Sequence, residues 1–300
     1  VVARIIDGAA IAREIREDLS ARVEILKART GRGPGLAVVL VGDDPASQVY
    51  VRNKQRACAQ VGIKSIRHDL PASVTTAELL DLIVELNGRD DIHGILVQLP
   101  LPPQVDARQV LEAIELSKDV DGFHQYNIGG LVAGHPVFPP CTPHGVMEML
   151  SHEGIEVAGQ NAVVVGASAI VGKPLGLMLT RRDATVSICH ALTRDLAQFT
   201  RLADLLVVAA GVPGLLTAEM VHDGAVVIDV GINRVSGTNR VVGDVDFEQV
   251  RHKASYITPV PGGVGPMTIT MLLKHTLLSA ERRQTALSGS SVLRPEARSA

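Results

Sequence analysis

The 300-residue chain has no tryptophan, only 2% aromatic residues and three cysteines. Any core must therefore rest on Val, Leu, Ile and Ala, a palette that suits parallel strands buried between helices. Cys58, Cys141 and Cys189 lie far apart and form no CxxC pair, so neither a disulfide framework nor a metal site is expected, and a reducing compartment fits. No apolar run approaches the ~20 residues of a membrane span. The N-terminal VVARIIDGAAIAREIREDL interrupts its apolar residues with charge too soon for a signal peptide. A net charge of -3 and a pI near 6.4 argue against nucleic-acid and membrane partners. A cytoplasmic protein is expected.

What is present is apolar and periodic. Hydrophobic residues make up 46% of the chain against 20% charged, enough for well-buried cores, and the length favours two domains. GLAVVLVG (35–42) and GILVQLPLP (94–102) read as buried strands on either side of TTAELLDLIVELN (75–87), a helix that Thr75 or Thr76 can cap. The stretch 117–145 is rich in Gly and Pro and reads as loops near the join of two lobes, after which HGVMEMLSHEG (144–154) resumes a helix. A second series follows: NAVVVGA (161–167), TVSICH (185–190), ADLLVVAAG (203–211), GAVVIDVGI (224–232) and SYITPVPGG (255–263). MTITMLLKHTLLSAERR (267–283) is a helix that can return to the first lobe, and the remaining TALSGSSVLRPEARSA has little pattern. The fold class is α/β with two lobes and a cleft between them. A parallel-sheet catalytic lobe is expected over 1–142 plus 268–300, and a Rossmann-type dinucleotide-binding lobe over 143–267.

Within the second series, GASAIVG joins a strand to a helix at Gly166, Ala167, Ser168, Ile170 and Gly172. Such a turn lets backbone N–H groups approach a pyrophosphate at a helix N-terminus. The spacing is one residue longer than GxGxxG and serine replaces the middle glycine, and ordinary strand–helix turns also use Gly and Ser. The next strand ends without the acid that would hold a ribose hydroxyl. It carries His190, Thr193 and Arg194 instead, which favours NADP over NAD unless His190 and Arg194 merely decorate a loop.

YVRNK places Tyr50 four residues before Lys54, and on a helix positions 50, 54, 57, 58 and 61 share a face. A lysine on an apolar stripe either snorkels to water or lines a cleft, where desolvation favours the neutral, basic amine. Both readings stand. Gln98 interrupts GILVQLPLP near the strand's C-terminal end, either as a satisfied structural amide or as a partner for a cleft lysine. Asp119 and Asp121 of KDVDG suit simple turn chemistry or ligand binding, and PVPGGVGPMT is a rigid Pro/Gly segment able to lie against a ligand.

Eight segments then occur in order: YVRNK, GILVQLPLP, KDVDGFH, PCTP, VVVGASAIVGKP, GAVVIDVGIN, VVGDV and TPVPGGVGPMT. Together, from about residue 4 to about 280, the chain resembles the bifunctional methylenetetrahydrofolate dehydrogenase/methenyltetrahydrofolate cyclohydrolase family. The resemblance implies a homodimer formed through the cofactor lobe, a folate substrate, NADP as cofactor, and a place in one-carbon metabolism that serves purine biosynthesis. It assigns Lys54 as the catalytic lysine, Gln98 as the residue that keeps it in a useful protonation state, Tyr50 as the ring against the aminobenzoyl group, and Asp121 as the pterin-binding carboxylate. Val97 and Leu99 flank Gln98 at the substrate wall, and Pro261, Gly262, Gly263, Val264, Gly265, Pro266, Met267 and Thr268 form the folate-side loop. Gly166, Ala167 and Ser168, with Ile232, match cofactor contacts. Ala167 and Ala191 stand where some members carry polar or basic residues able to meet a 2′-phosphate, so Arg194 is the remaining candidate for that contact. Two other readings compete. One is a reductase similar to the short-chain dehydrogenases with Tyr50 as acid, although there the pair follows the glycine loop. The other is a non-catalytic folate- or dinucleotide-binding protein.

Overall fold

The computed structural model describes residues 2–235, 237–238 and 240–291. It divides the chain into two compact units. One runs from the N-terminus to Ile15 and from Gln125 to Met271, and the other comprises Arg16–His124 and the chain from Leu272 onward.

The second of these, the smaller, is built on a three-stranded parallel sheet in the order Lys64–Leu70, Gly35–Val41, Gly94–Val97. The central strand is buried along its whole length, as its unbroken apolar run requires. Helix Thr76–Gly88 starts at a capping box, in which Thr75 accepts from Glu78 N and Glu78 accepts from Thr75 N. Its Leu79, Ile83 and Leu86 close one core with Ala37, Val39, Ile95 and Val97. The strand Lys64–Leu70 has no counterpart in the sequence reading. KSIRHDL carries charge because it lies at the sheet edge, where most of its residues are only partly buried.

The larger unit holds a six-stranded parallel sheet in the order Arg4–Ile5, Tyr256–Ile257, Val226–Asp229, Leu205–Val208, Asn161–Val165, Thr185–Cys189. Val163, Leu206, Val208 and Val227 lie at the heart of its core. The unit boundaries differ from the expected 1–142 plus 268–300 and 143–267. The N-terminal segment belongs here because Arg4 and Ile5 pair with Tyr256 and Ile257. The stretch 125–142 belongs here too, and it is not simply loop. Gln125–Ala133 is a helix, and Asn127 Oδ1 just inside it accepts from Val137 N and Phe138 N, folding the following chain back.

Helix Cys141–His152 begins three residues before the expected 144. Pro143 sits in its first turn, where no intrahelical partner is required of its missing N–H. The final helix is longer than the 267–283 expected, running Val264–Ser291, so part of the supposedly patternless tail is helical and the rest lies outside the described residues. Among the described residues no helix is long and apolar enough to cross a membrane. The three cysteines are free and buried.

Candidate active site

Helix Pro45–Val61 opens with Asp44 accepting from Ser47 N at 2.7 Å and Pro45 in its first turn, and it stops at Gly62 with φ 82°. Its buried residues are Ser47, Val51, Lys54, Ala57, Cys58 and Val61, while Tyr50 is half-buried. The stripe is thus rotated slightly from the expected one, and Lys54 lies within it, only 9% exposed. The lysine does not snorkel to water. Its Nζ donates to Gln98 Oε1 at 3.1 Å.

Gln98 is the first residue beyond strand Gly94–Val97. Its backbone N–H donates to Val39 O at 2.9 Å, and its Nε2 donates to Leu99 O at 2.7 Å. With the amide nitrogen engaged, the oxygen faces Lys54, the only orientation an ammonium or amine donor can use. Cys58, one turn along, is an inert neighbour, because burial pushes its thiol up to about 12.

The KDVDG segment separates its charges by role. Lys118 is 2% exposed and its Nζ donates to the carbonyls of Leu86, Asn87 and Arg89, closing the end of helix Thr76–Gly88. Asp119 does the turn chemistry, accepting from Phe123 N and His124 N. Asp121 follows, half-buried. The C-terminal helix pins this segment through His275 Nδ1, 2.8 Å from Val120 O, and Ser279 Oγ, which donates to Ser117 O at 2.7 Å.

In the larger unit, Gly166 ends strand Asn161–Val165 with φ 125°, and a side chain there would collide with the Ala209 carbonyl. Gly172 begins helix Gly172–Thr180 and lies so close to Gly166 O that it admits no side chain either. Between them Ser168 Oγ accepts from Val171 N at 3.1 Å and Gly172 N at 3.3 Å, drawing the loop tight. Ala167 is half-buried, and Ser168 and Ile170 are exposed. This is a cradle of backbone at a helix start with no side chain in the way, which fits a dinucleotide pyrophosphate.

Beyond strand Thr185–Cys189, His190 N donates to Thr193 Oγ1 at 2.9 Å and His190 Nδ1 accepts from Leu192 N at 3.2 Å, so this ring also closes its own turn. Arg194 is exposed beside that turn, and no carboxylate stands at the strand end.

The segment expected as a Pro/Gly loop is partly helical. Pro261, Gly262 and Gly263 precede the helix, and Val264, Gly265, Pro266, Met267 and Thr268 form its first turn. Gly262 has φ 108° and its carbonyl accepts from Ala9 N at 2.9 Å. Thr268 Oγ1 lies 3.0 Å from Thr142 Oγ1. A Cβ at Gly265 would stand 3.6 Å from Ile232 Cδ1, so the segment assigned to folate and the side chain assigned to the cofactor are neighbours.

The sequence reading gave no role to Asp229 or Asp244, although IDVGIN and VVGDV contain them. They are 3% and 0% exposed, the most deeply buried acids of this unit. The available signal was an acid ending an apolar strand, which demands partners. Among the described residues no group of three or more His, Cys, Asp or Glu side chains could hold a metal.

The catalytic-domain model of tetrahydrofolate dehydrogenase/cyclohydrolase matches residues 6–121, and the NAD(P)-binding-domain model of the same enzymes matches residues 140–284. A bifunctional protein FolD of Moorella thermoacetica is 60% identical over 280 residues, 93% of this chain and 99% of its own. That of Nitrosospira multiformis is 56% identical over 287 residues, 96% and 99% of the two chains. The crystal structure of the bifunctional FolD dehydrogenase/cyclohydrolase from Campylobacter jejuni superposes with a TM-score of 0.91 at 52% identity, covering 94% of this chain and 99% of that one. The Trypanosoma brucei enzyme, crystallised with NADP cofactor and inhibitor, gives 0.92 at 42% identity over 95% and 99%. A short-chain-like reductase is thereby set aside, and the chain belongs to the bifunctional methylenetetrahydrofolate dehydrogenase/cyclohydrolase family.

Proposed function

We propose that this bifunctional enzyme passes a hydride from 5,10-methylenetetrahydrofolate to NADP and hydrolyses the resulting methenyl cation to 10-formyltetrahydrofolate, with Lys54 as the acid–base group of the second step. The observation that carries this reading is the Lys54 Nζ–Gln98 Oε1 hydrogen bond of 3.1 Å on an otherwise apolar buried helix face. The amide oxygen fixes the direction in which the amine points and brings no charge of its own.

When bound, NADP accepts the hydride that leaves the folate methylene carbon, a step governed by alignment rather than by a side-chain base. Hydrolysis differs because protons must move. Water adds to the methenyl carbon and Lys54 takes its proton. The bond from that carbon to N5 then breaks as N5 receives the proton back from the lysine, and the new hydroxyl loses its own proton to become the formyl carbonyl. One water is consumed and one proton released. A positioned base contributes roughly 10²- to 10⁴-fold to such a step. In this reading Tyr50 supports the aminobenzoyl ring, Asp121 holds the pterin, and Val97 and Leu99 wall the substrate. Gly262, Gly263 and Gly265 let the 261–268 segment approach it closely.

NADP is favoured over NAD because the strand ending at Cys189 is followed directly by His190 and Ala191 rather than by an acid, and the exposed Arg194 stands in the same turn, next to Asp195. The same reading makes the protein a cytoplasmic homodimer joined through the dinucleotide unit. The test is turnover of methylenetetrahydrofolate with NADP and with NAD, following reduced cofactor and formyl product together, in wild type and Arg194→Ala. Folate-dependent reduction with a higher kcat/KM for NADP, narrowed in the variant, is expected. No folate-dependent reduction with either dinucleotide would sink the reading, and an unchanged ratio would remove Arg194 from it.

A further inference from the structure

Asp229 and Asp244 are buried acids at the end of one strand and just after the hairpin that follows it. Among the described residues, the bonds to their oxygens come from the protein's own backbone and from Asn233. Asp229 Oδ1 accepts from Gly231 N at 2.9 Å and from Asp244 N at 3.0 Å, and its Oδ2 accepts from Val245 N at 3.0 Å. Asp244 Oδ2 accepts from Ala210 N at 2.7 Å and Gly211 N at 2.8 Å, while its Oδ1 accepts from Asn233 Nδ2 at 2.8 Å. The fit leaves no spare volume: a Cβ at Gly231 would collide with the Asp244 carboxylate, and one at Gly243 with that of Asp229.

These bonds converge on two pieces of chain. The first is 209–211, whose Ala209 carbonyl lies directly against Gly166, the residue that opens the pyrophosphate cradle. The second is Ile232, 45% exposed, held from both sides because Gly231 is tied to Asp229 and Asn233 to Asp244. A buried carboxylate accepting several backbone N–H groups is a rigid anchor, since losing it strands each donor away from water.

We propose that Asp244 and Asp229 are positioning residues for the dinucleotide. They fix the 209–211 segment and Ile232 as one face of the NADP site, without themselves touching the ligand. This rests on the reading of the larger unit as the NADP site. It makes a demand that mere structural support does not: disturbing the pair should alter dinucleotide affinity and leave hydrolysis of the methenyl cation, which uses no dinucleotide, near its wild-type rate.

The experiment compares wild type, Asp244→Asn and Asn233→Ala. Asp244→Asn is nearly isosteric but replaces one acceptor oxygen with a donor, leaving three converging donors for one acceptor. Asn233→Ala removes only the tie on the Ile232 side and keeps the carboxylate. NADPH binding is read by its fluorescence, and KM for NADP and the cyclohydrolase rate are read by turnover. Loss of one charge-assisted bond predicts roughly tenfold weaker NADPH binding and a matching rise in KM for Asp244→Asn. A smaller effect of the same kind is expected for Asn233→Ala, with cyclohydrolase kcat within about twofold of wild type in both. NADPH affinity unchanged in both variants overturns the proposal. So does a parallel fall of both activities in proportion to lost folded protein. A wild type that binds NADPH but turns over no folate defeats the functional reading instead, and the variants' affinities still decide the role of the pair.

Discussion

The two units build their sites from different materials. In the smaller unit the chemistry we propose rests on side chains: a lysine held on a buried helix face by a glutamine at a strand end. In the larger unit the proposed dinucleotide site rests on backbone: glycines that admit no Cβ, a tightened loop, and carboxylates that hold N–H groups in place. A side-chain site loses a reaction step when one group changes, whereas a backbone site loses shape. The two activities of one polypeptide should therefore fail in distinguishable ways.

The largest effect is expected at the backbone site. Gly166→Ala puts a Cβ against the Ala209 carbonyl at φ 125°, a conformation L side chains rarely adopt. It should cost ~2–4 kcal/mol of stability and abolish dehydrogenase turnover at ordinary NADP concentrations. Urea unfolding and the NADP saturation curve check both parts, and a wild-type KM for NADP in the variant would remove the backbone account.

A smaller and opposite failure is expected from Gln98→Glu. A carboxylate 3 Å or so from Nζ favours the ammonium, so cyclohydrolase activity should drop about 10- to 100-fold with dehydrogenase little changed. Equal loss of both activities would show that Gln98 shapes the substrate site rather than the proton transfer.

The smallest effect concerns His93, beside the start of strand Gly94–Val97, whose Nδ1 accepts from Gly35 N. Burial, then the charges of Arg283, Lys118 and Arg32, lower it from 6.5 to about 4. The folded state thus binds fewer protons than the unfolded state between those values, so this contribution to stability is complete above pH 6.5 and is lost as pH falls through 4. Urea midpoints should decline over that window more steeply in wild type than in His93→Asn. Identical slopes would contradict it.

Much of this was legible in the sequence because it rests on short-range pattern. GLAVVLVG and NAVVVGA are short apolar runs of the kind that buried parallel strands require, and the apolar stripe around Lys54 narrowed it to two readings, of which the structure shows the buried one. What escaped depended on distant partners. KSIRHDL carries too much charge to read as a strand until it is seen at a sheet edge. The helix Gln125–Ala133 contains Gly129 and Gly130, poor helix formers, and is tied down by Asn127 across ten residues. Arg4 and Ile5 pair with a strand about 250 residues later in sequence, which no local pattern can show. Asp229 and Asp244 meet across fifteen residues, and neither alone signals the other.

The most direct test of the proposed contrast between side-chain chemistry and backbone shape is Lys54→Met, which keeps the length and apolar bulk of the side chain and deletes its amine. Both rates should be measured on the same preparation with methylenetetrahydrofolate and NADP. The account predicts that reduced NADP continues to form, while enzymic hydrolysis of the methenyl product falls at least ~10²-fold and the cation accumulates. Hydrolysis at the wild-type rate in a folded variant would contradict it.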